Sequence, residues 1–391
     1  MCARNAVIVG DSMQLPNVIT DADRLRMQAI AAKHAIDPRY DCAALSFLES
    51  VCRVFPEAPQ TLLREHYRCH PKIINFCNQR FYGGRLLIMT EDHGEPDVIT
   101  AWRTAPGHHA RGAFNPREIE TIRREVLPSL PCEQAEIGII SPYNEQVNAL
   151  HRELGGGIDV ATVHKFQGRE KEAIILSTVD DQITAFTDDP NLLNVAVSRA
   201  KRRFTLVTSS NEQPDSRNIA DLLAYIDYNG GKITESAIHS VFDLLYEPYA
   251  EARREFLKRH RRISEFDSEN LTYALLERVL ETDQAFRHLG VLCHQPLRQL
   301  IRDWTLLNDE ERRYASNGAT HLDFLIYNRV SKQPVLAIET DGYRFHKQGT
   351  RQSERDRMKD RILDRYSLPL LRLSTTGTDE ESKIQSLLKR N

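Results

Sequence analysis

The sequence predicts an α/β protein, with a parallel, doubly wound sheet in its first half and a smaller α/β unit after it. Strand-like apolar runs alternate with helix-patterned stretches across residues 137–209. The run at 173–177, with Val179 beyond it, is short, apolar and bounded by charges, the pattern of a strand buried on both faces. In the last third, two strand-like segments at 322–327 and 335–341 flank a turn at 328–334, and each carries an acidic residue inside its apolar run.

Taken in order, Ala6, Val7, Ile8 and Val9 read as a strand leading into Gly10-Asp11-Ser12-Met13-Gln14-Leu15-Pro16. Residues 21–54 are helical in pattern, with Leu45, Leu48, Val51 and Cys52 on one apolar face. Pro71 is placed to start a helix over 72–82, which Gly83-Gly84 closes. Residues 91–116 read as loop with short strands. A helix at 118–127, a strand at 137–140 and a helix to Leu154 that residues 141–146 cap come next. Gln167-Gly168-Arg169-Glu170 is a polar turn whose glycine lets backbone approach a ligand. Arg199 ends a helix over 192–200, just before a strand at 204–207, where it is placed to clamp a phosphoryl group. Singly, each of these charges also fits a solvated face.

Residues 211–262 hold a helix at 219–228, a Gly-Gly break, a helix near 238–245 and a basic run over 253–262. That run fits a phosphate-contacting surface and a solvated helix face equally. Beyond it, Leu271, Leu275, Leu276, Val279 and Leu280 form the core stripe of a helix that Ser268 or Asp267 is placed to cap. A strand near 291–294, the two acidic strands, a helix over 354–366 and a strand at 370–373 complete the pattern.

Composition sets bounds on function. The net charge of -3 gives no overall basic balance, so any nucleic-acid surface must be local. Seven cysteines show no CxxC spacing and fit reduced thiols in a cytoplasmic protein. Cys69-His70 with Cys77 has the wrong spacing for a zinc finger. No apolar run approaches membrane-spanning length, and no internal repeat is present.

The ordered motifs resemble those of superfamily-one helicases, especially the branch of the nonsense-decay helicases. Residues 10–16 are similar to motif III, residues 63–71 (Leu63 to Pro71, with Tyr67-Arg68-Cys69-His70) to motif IV, and residues 160–170 and 194–200 to motifs V and VI. The resemblance implies a second RecA-like domain over 59–210, after a remnant of the first at 1–17 and a helical connector at 18–58. It implies that Gln14, Arg68, Gly168, Glu170 and Arg199 face ATP, and that DNA or RNA is the partner. No GxxxxGK[ST] occurs in the sequence, and Gly230-Gly231-Lys232-Ile233-Thr234 lacks its first glycine. The chain is therefore expected to be the C-terminal part of a longer or split helicase. It would need a separate or upstream first RecA-like domain and would not hydrolyse ATP alone.

A helical basic linker at 211–263 leads to the last unit, 264–391. Burying Asp323 and Glu339 costs several kcal/mol unless each is paired or metal-bound. Asp341 shares the face of Glu339 by the two-residue strand period, and such a set suits Mg²⁺ or Mn²⁺. Asp323, Glu339, Asp341, Gly342 and His346 resemble the PD-(D/E)xK nuclease fold, in the ExDG-plus-histidine branch related to very-short-patch repair endonucleases. Asp341 stands where that family usually has lysine. The resemblance thus implies that Lys359 or His346 handles the attacking water and that Glu269 stands near the metal. The alternative expectation is a non-catalytic nucleic-acid-binding or partner-docking module derived from such an enzyme.

Overall fold

The computed structural model describes residues 5–16, 19–246, 249–341 and 351–390. They group into two compact units, one of residues 1–104 and 110–236, the other of 105–109 and 237–391.

The first unit begins with helices Asp21–Lys33 and Phe47–Val54 and a short parallel pair, β1 (Glu65–His66) and β2 (Leu87–Ile88). Its centre is a sheet of β3 (Ile99–Thr104), β4 (Ile137–Ser141), β5 (Asp159–Thr162), β6 (Lys171–Ser177), β7 (Ala200–Ser209) and β8 (Ile233–Glu235). The strand order is β5-β4-β6-β7-β3-β8 and every neighbouring pair is parallel. Alternate side chains of β6 feed different cores. Ile174 and Leu176 join Ile73, Leu193 and Ile219, which come from helices Pro71–Phe81, Pro190–Ser198 and Asn218–Tyr228. Ala173 and Ile175 join Ile122, Val147 and Leu150 from the helical segments 116–129 and Asn144–Leu154. Apolar cores on both faces explain why the strand sequences are nearly continuous in hydrophobicity.

Several elements differ from expectation. Residues 6–9 form no strand; Val7 and Val9 are 90% and 84% exposed, and no described strand pairs with them. A strand without a partner leaves its backbone groups to solvent. The helix expected over 118–127 runs from Pro116 and contains a π-helical segment, Ile122–Val126. β8 is an additional strand: Gly231 before it packs so closely on the Ile99 carbonyl that a Cβ would clash. The helix expected near 238–245 is a single 3₁₀ segment, Val241–Leu245.

The second unit holds a four-stranded sheet of β9 (Leu289–Pro296), β10 (His321–Asn328), β11 (Pro334–Asp341) and β12 (Leu370–Ser374), in the order β12-β11-β10-β9. β10 is antiparallel to both β9 and β11, while β11 and β12 are parallel. Phe324, Ile326, Leu336 and Ile338 pack with helix Asp267–Thr282. Leu325 and Ala337 pack with Ile362 and Leu363 of helix Arg351–Arg365. Neither Ser268 nor Asp267 caps the first helix. Phe266 holds the cap position, and Asn270 Oδ1 instead accepts from the N–H groups of Ile263 and Ser264 at 2.8 and 3.1 Å.

Candidate functional site

Two groups of side chains stand out, one in each unit. In the first, Arg199 caps helix Pro190–Ser198 and is only 5% exposed. Its Nη2 lies 3.4 Å from Gln14 Oε1 and its Nη1 lies 3.4 Å from the Arg169 carbonyl. The Nε atoms of Arg199 and Arg68 are both buried without a hydrogen-bond partner. Burial, and then the neighbouring Arg68 charge, lowers the Arg199 pKa. Two cations held side by side, each with an unused donor, form a surface that favours an anion. Glu170 balances the edge, 3.4 Å from Arg68 Nη1 and 3.1 Å from Lys201 Nζ. Gly168 adopts φ +85°, a conformation that selects glycine.

Residues 11–14 are held onto this group by named contacts. Tyr82 donates its hydroxyl to Asp11 at 2.7 Å, and Asn194 donates Nδ2 to the Met13 carbonyl at 2.7 Å. All five residues expected at a nucleotide therefore lie in one unit, and Gln14, Arg68, Glu170 and Arg199 connect through direct contacts or shared neighbours.

In the second unit a cleft of about 490 Å³ is lined by Glu269, His321, Asp323, Glu339, Asp341, Asp356 and Lys359, among others. The Lys359 ammonium donates to Glu339 Oε2 at 2.7 Å and to the His321 carbonyl at 2.9 Å. Asp323 Oδ2 accepts the Thr340 N–H at 2.8 Å, and the Asp323 N–H points at Glu339 Oε1, 3.4 Å away. Burial pushes Glu339 up to about 7 against the pull of Lys359, and burial raises Asp323 as well. A buried Glu339 paired with the single Lys359 ammonium, beside a half-buried Asp323 that bonds no cation among the described residues, leaves an excess of negative charge, which suits a hard divalent cation.

Not every expected ligand closes on that point. Among the described residues, the only trio of His, Cys, Asp or Glu ligand atoms within 4.8 Å of one another is His70, Asp92 and Glu95. Asp341 lies 3.4 Å from Arg372 Nη1. Glu269 lines the cleft but bonds His294, with 2.9 Å between His294 Nε2 and Glu269 Oε2. Gly342 and His346 lie outside the described residues.

Arg372, His294 and His321 were not anticipated as parts of this region. Arg372 had a visible signal, a charge within the apolar Leu370-Leu371-Arg372-Leu373 strand. His294 had none: its importance comes from φ +50° within β9 and from standing edge-to-face on His321 at 5.5 Å.

Residues 43–211 match the family described as an AAA domain, and residues 266–390 match one described as a protein of unknown function (DUF2726). An uncharacterized ATP-dependent helicase of Methanocaldococcus jannaschii is 28% identical over 53% of this chain and 33% of its own length. The DNA replication ATP-dependent helicase/nuclease of Gallus gallus is 27% identical over 53% of this chain and 21% of its own. An uncharacterized ATP-dependent helicase of Caenorhabditis elegans is 31% identical over 37% of this chain and 11% of its own. The chain thus spans about a third or less of the length of these relatives. The first unit carries a superfamily-one helicase-like region, and its six-stranded parallel sheet is the expected α/β fold. No helix among the described residues is long and apolar enough to cross a membrane.

Proposed function

We propose that the chain carries the second RecA-like domain of an ATP-dependent helicase acting on DNA or RNA, joined to a metal-dependent nuclease unit. The observation that carries the first half of this reading is the buried Arg199 guanidinium, with its unpartnered Nε, beside Arg68 and Gln14. On this reading Arg199 and Arg68 stabilise negative charge on the terminal phosphate, Gln14 reports its presence, and Gly168 and Glu170 shape the edge. A first RecA-like domain, upstream or separate, holds the rest of the triphosphate, since the sequence contains no P-loop lysine motif. The names of the relatives, with ATP and DNA among them, support this assignment. The proposed division is a remnant of the first domain at 1–17, a connector at 18–58, the second RecA-like domain at 59–210, a basic linker at 211–263 and the nuclease unit at 264–391. Cysteines left as free thiols suit a cytoplasmic protein.

For the second unit, Asp323 and Glu339 would hold Mg²⁺ or Mn²⁺, with Lys359 fixing the orientation of Glu339. The donor set fits such an ion: hard carboxylate oxygens, one buried and one half-buried, in excess over their cation partner. A bound divalent cation supplies an activated water and offsets charge on the scissile phosphate. The chain's own contribution is a cleft lined by carboxylates, and Lys359 and His346 are the candidates for handling the water proton.

The test is incubation of the 391-residue chain with single- and double-stranded DNA and RNA, in Mg²⁺, Mn²⁺ or EDTA. Metal-dependent nicking that disappears in Asp323→Ala and Glu339→Ala supports the nuclease. Tight binding unaffected by EDTA, with no substrate cut, favours a non-catalytic nucleic-acid-binding module.

A further inference from the structure

β12 runs parallel to β11 with Arg372 directly opposite Glu339, so the two side chains share a face of the sheet. Asp341, two residues along β11, shares it too. Arg372 Nη1 lies 3.4 Å from Asp341 Oδ1 and 3.7 Å from Asp356 Oδ1, and Nη2 lies 2.8 Å from Asp360 Oδ1. Asp356 and Asp360 stand one turn apart on helix Arg351–Arg365, which also carries Lys359. The acidic face is therefore divided. Asp323 and Glu339 lie with Lys359, while Asp341, Asp356 and Asp360 surround Arg372.

Phosphodiester cleavage by two cations needs ions roughly 4 Å apart that share carboxylates. Here the carboxylates next to Glu339 already hold a guanidinium, a charge that does not titrate in proteins. A second divalent ion would meet that fixed positive charge at close range.

We propose that the cleft is a one-metal centre in which the Arg372 guanidinium stands in place of a second cation, with Asp341 positioning Arg372 rather than ligating metal. This rests on the nuclease reading of the same cleft. Asp323 and Glu339 alone hold the divalent ion. Arg372 supplies a permanent positive charge beside it, aimed by three carboxylates.

The experiment is titration of the full chain with Mn²⁺, reading unbound Mn²⁺ by electron paramagnetic resonance. An Asp323→Asn/Glu339→Gln double variant sets the background. Wild type is expected to hold one ion above that background. Asp323→Asn or Glu339→Gln should each weaken it by about tenfold or more, and Asp341→Asn should leave it within about threefold. Arg372→Lys should keep one ion, and Arg372→Gln should admit a second. Two ions in wild type, a loss in Asp341→Asn equal to that in Asp323→Asn, or a folded Arg372→Gln still holding one would each overturn the one-metal assignment while the nuclease reading stands. No ion above background in wild type would overturn both. Circular dichroism reports whether Arg372→Gln folds. Asp341→Asn, nearly isosteric, carries the test if it does not.

Discussion

The backbone N–H of Val179 lies 3.0 Å from both carboxylate oxygens of Glu118, and it does so with Val179 at φ +75°. A buried, β-branched residue in that conformation must be held there by its surroundings. Ser177 and Thr178 also donate their hydroxyls to Glu118, at 2.5 and 3.0 Å. Burial outweighs these donors and pushes Glu118 up to about 8, from an ordinary 4.5. A carboxyl whose pKa is raised by folding keeps a proton that the unfolded chain has lost. Its contribution to stability is present below 4.5 and is lost as pH rises through about 8. The sequence has two tryptophans, and the first unit contains only Trp102 of these. Denaturation followed by Trp102 fluorescence in a Trp304→Phe background should therefore show this unit weakening between about pH 4.5 and about pH 8. Glu118→Gln should flatten that slope. An unchanged slope in the variant would remove Glu118 as its cause.

Arg199 and Arg68 make a sharper functional prediction. The purified chain is expected to show no ATP turnover above background, with or without nucleic acid. Supplied with the first RecA-like domain, turnover should fall by about 10³-fold in either Arg199→Ala or Arg68→Ala. Near-wild-type turnover in both variants would exclude the two arginines from the nucleotide.

His70 looks metal-like by proximity, since its ring, Asp92 and Glu95 lie close together. Its Nδ1 accepts the Lys72 N–H at 3.1 Å and so caps helix Pro71–Phe81. That acceptor role places the neutral ring's proton on Nε2, which faces Glu95 at 3.2 Å and is not open to a cation. His70→Ala should cost about 1 kcal/mol in urea denaturation, with His70→Asn recovering most of it. A Zn²⁺-dependent rise in melting temperature that His70→Ala abolishes would reverse this assignment.

The central sheet is legible in the sequence because both faces of β6 are buried, which forces a continuous apolar run that few other arrangements need. Asp323 and Glu339 are legible for the opposite reason, as charges that such a run should not contain. Arg372 sends the same signal, but its meaning depends on Asp356 and Asp360 arriving from a helix more than ten residues earlier. Val7 and Val9 mislead because a short apolar run describes a strand only when a partner is beside it. β8 is three residues long, and its place at the sheet edge depends on Gly231 allowing close approach to Ile99.

The Lys359–Glu339 pair gives the last prediction. The two side chains are 10% and 8% exposed and 2.7 Å apart. Removing one partner of a buried pair leaves an uncompensated charge, which costs about 3–5 kcal/mol. Glu339, already raised by burial, can relieve part of that by taking up a proton, so the lower end is expected. Lys359→Met should therefore destabilise the second unit by about 3 kcal/mol in EDTA. Trp304, in the second unit, reports this unfolding in a Trp102→Phe background. Without the ammonium, Asp323 and Glu339 retain their mutual repulsion, and a divalent cation becomes their best remaining counter-charge. Mg²⁺ should then raise the stability of Lys359→Met more than that of wild type, by linkage between binding and folding. Equal Mg²⁺ responses in the two proteins would mean that the ion does not bind at these carboxylates.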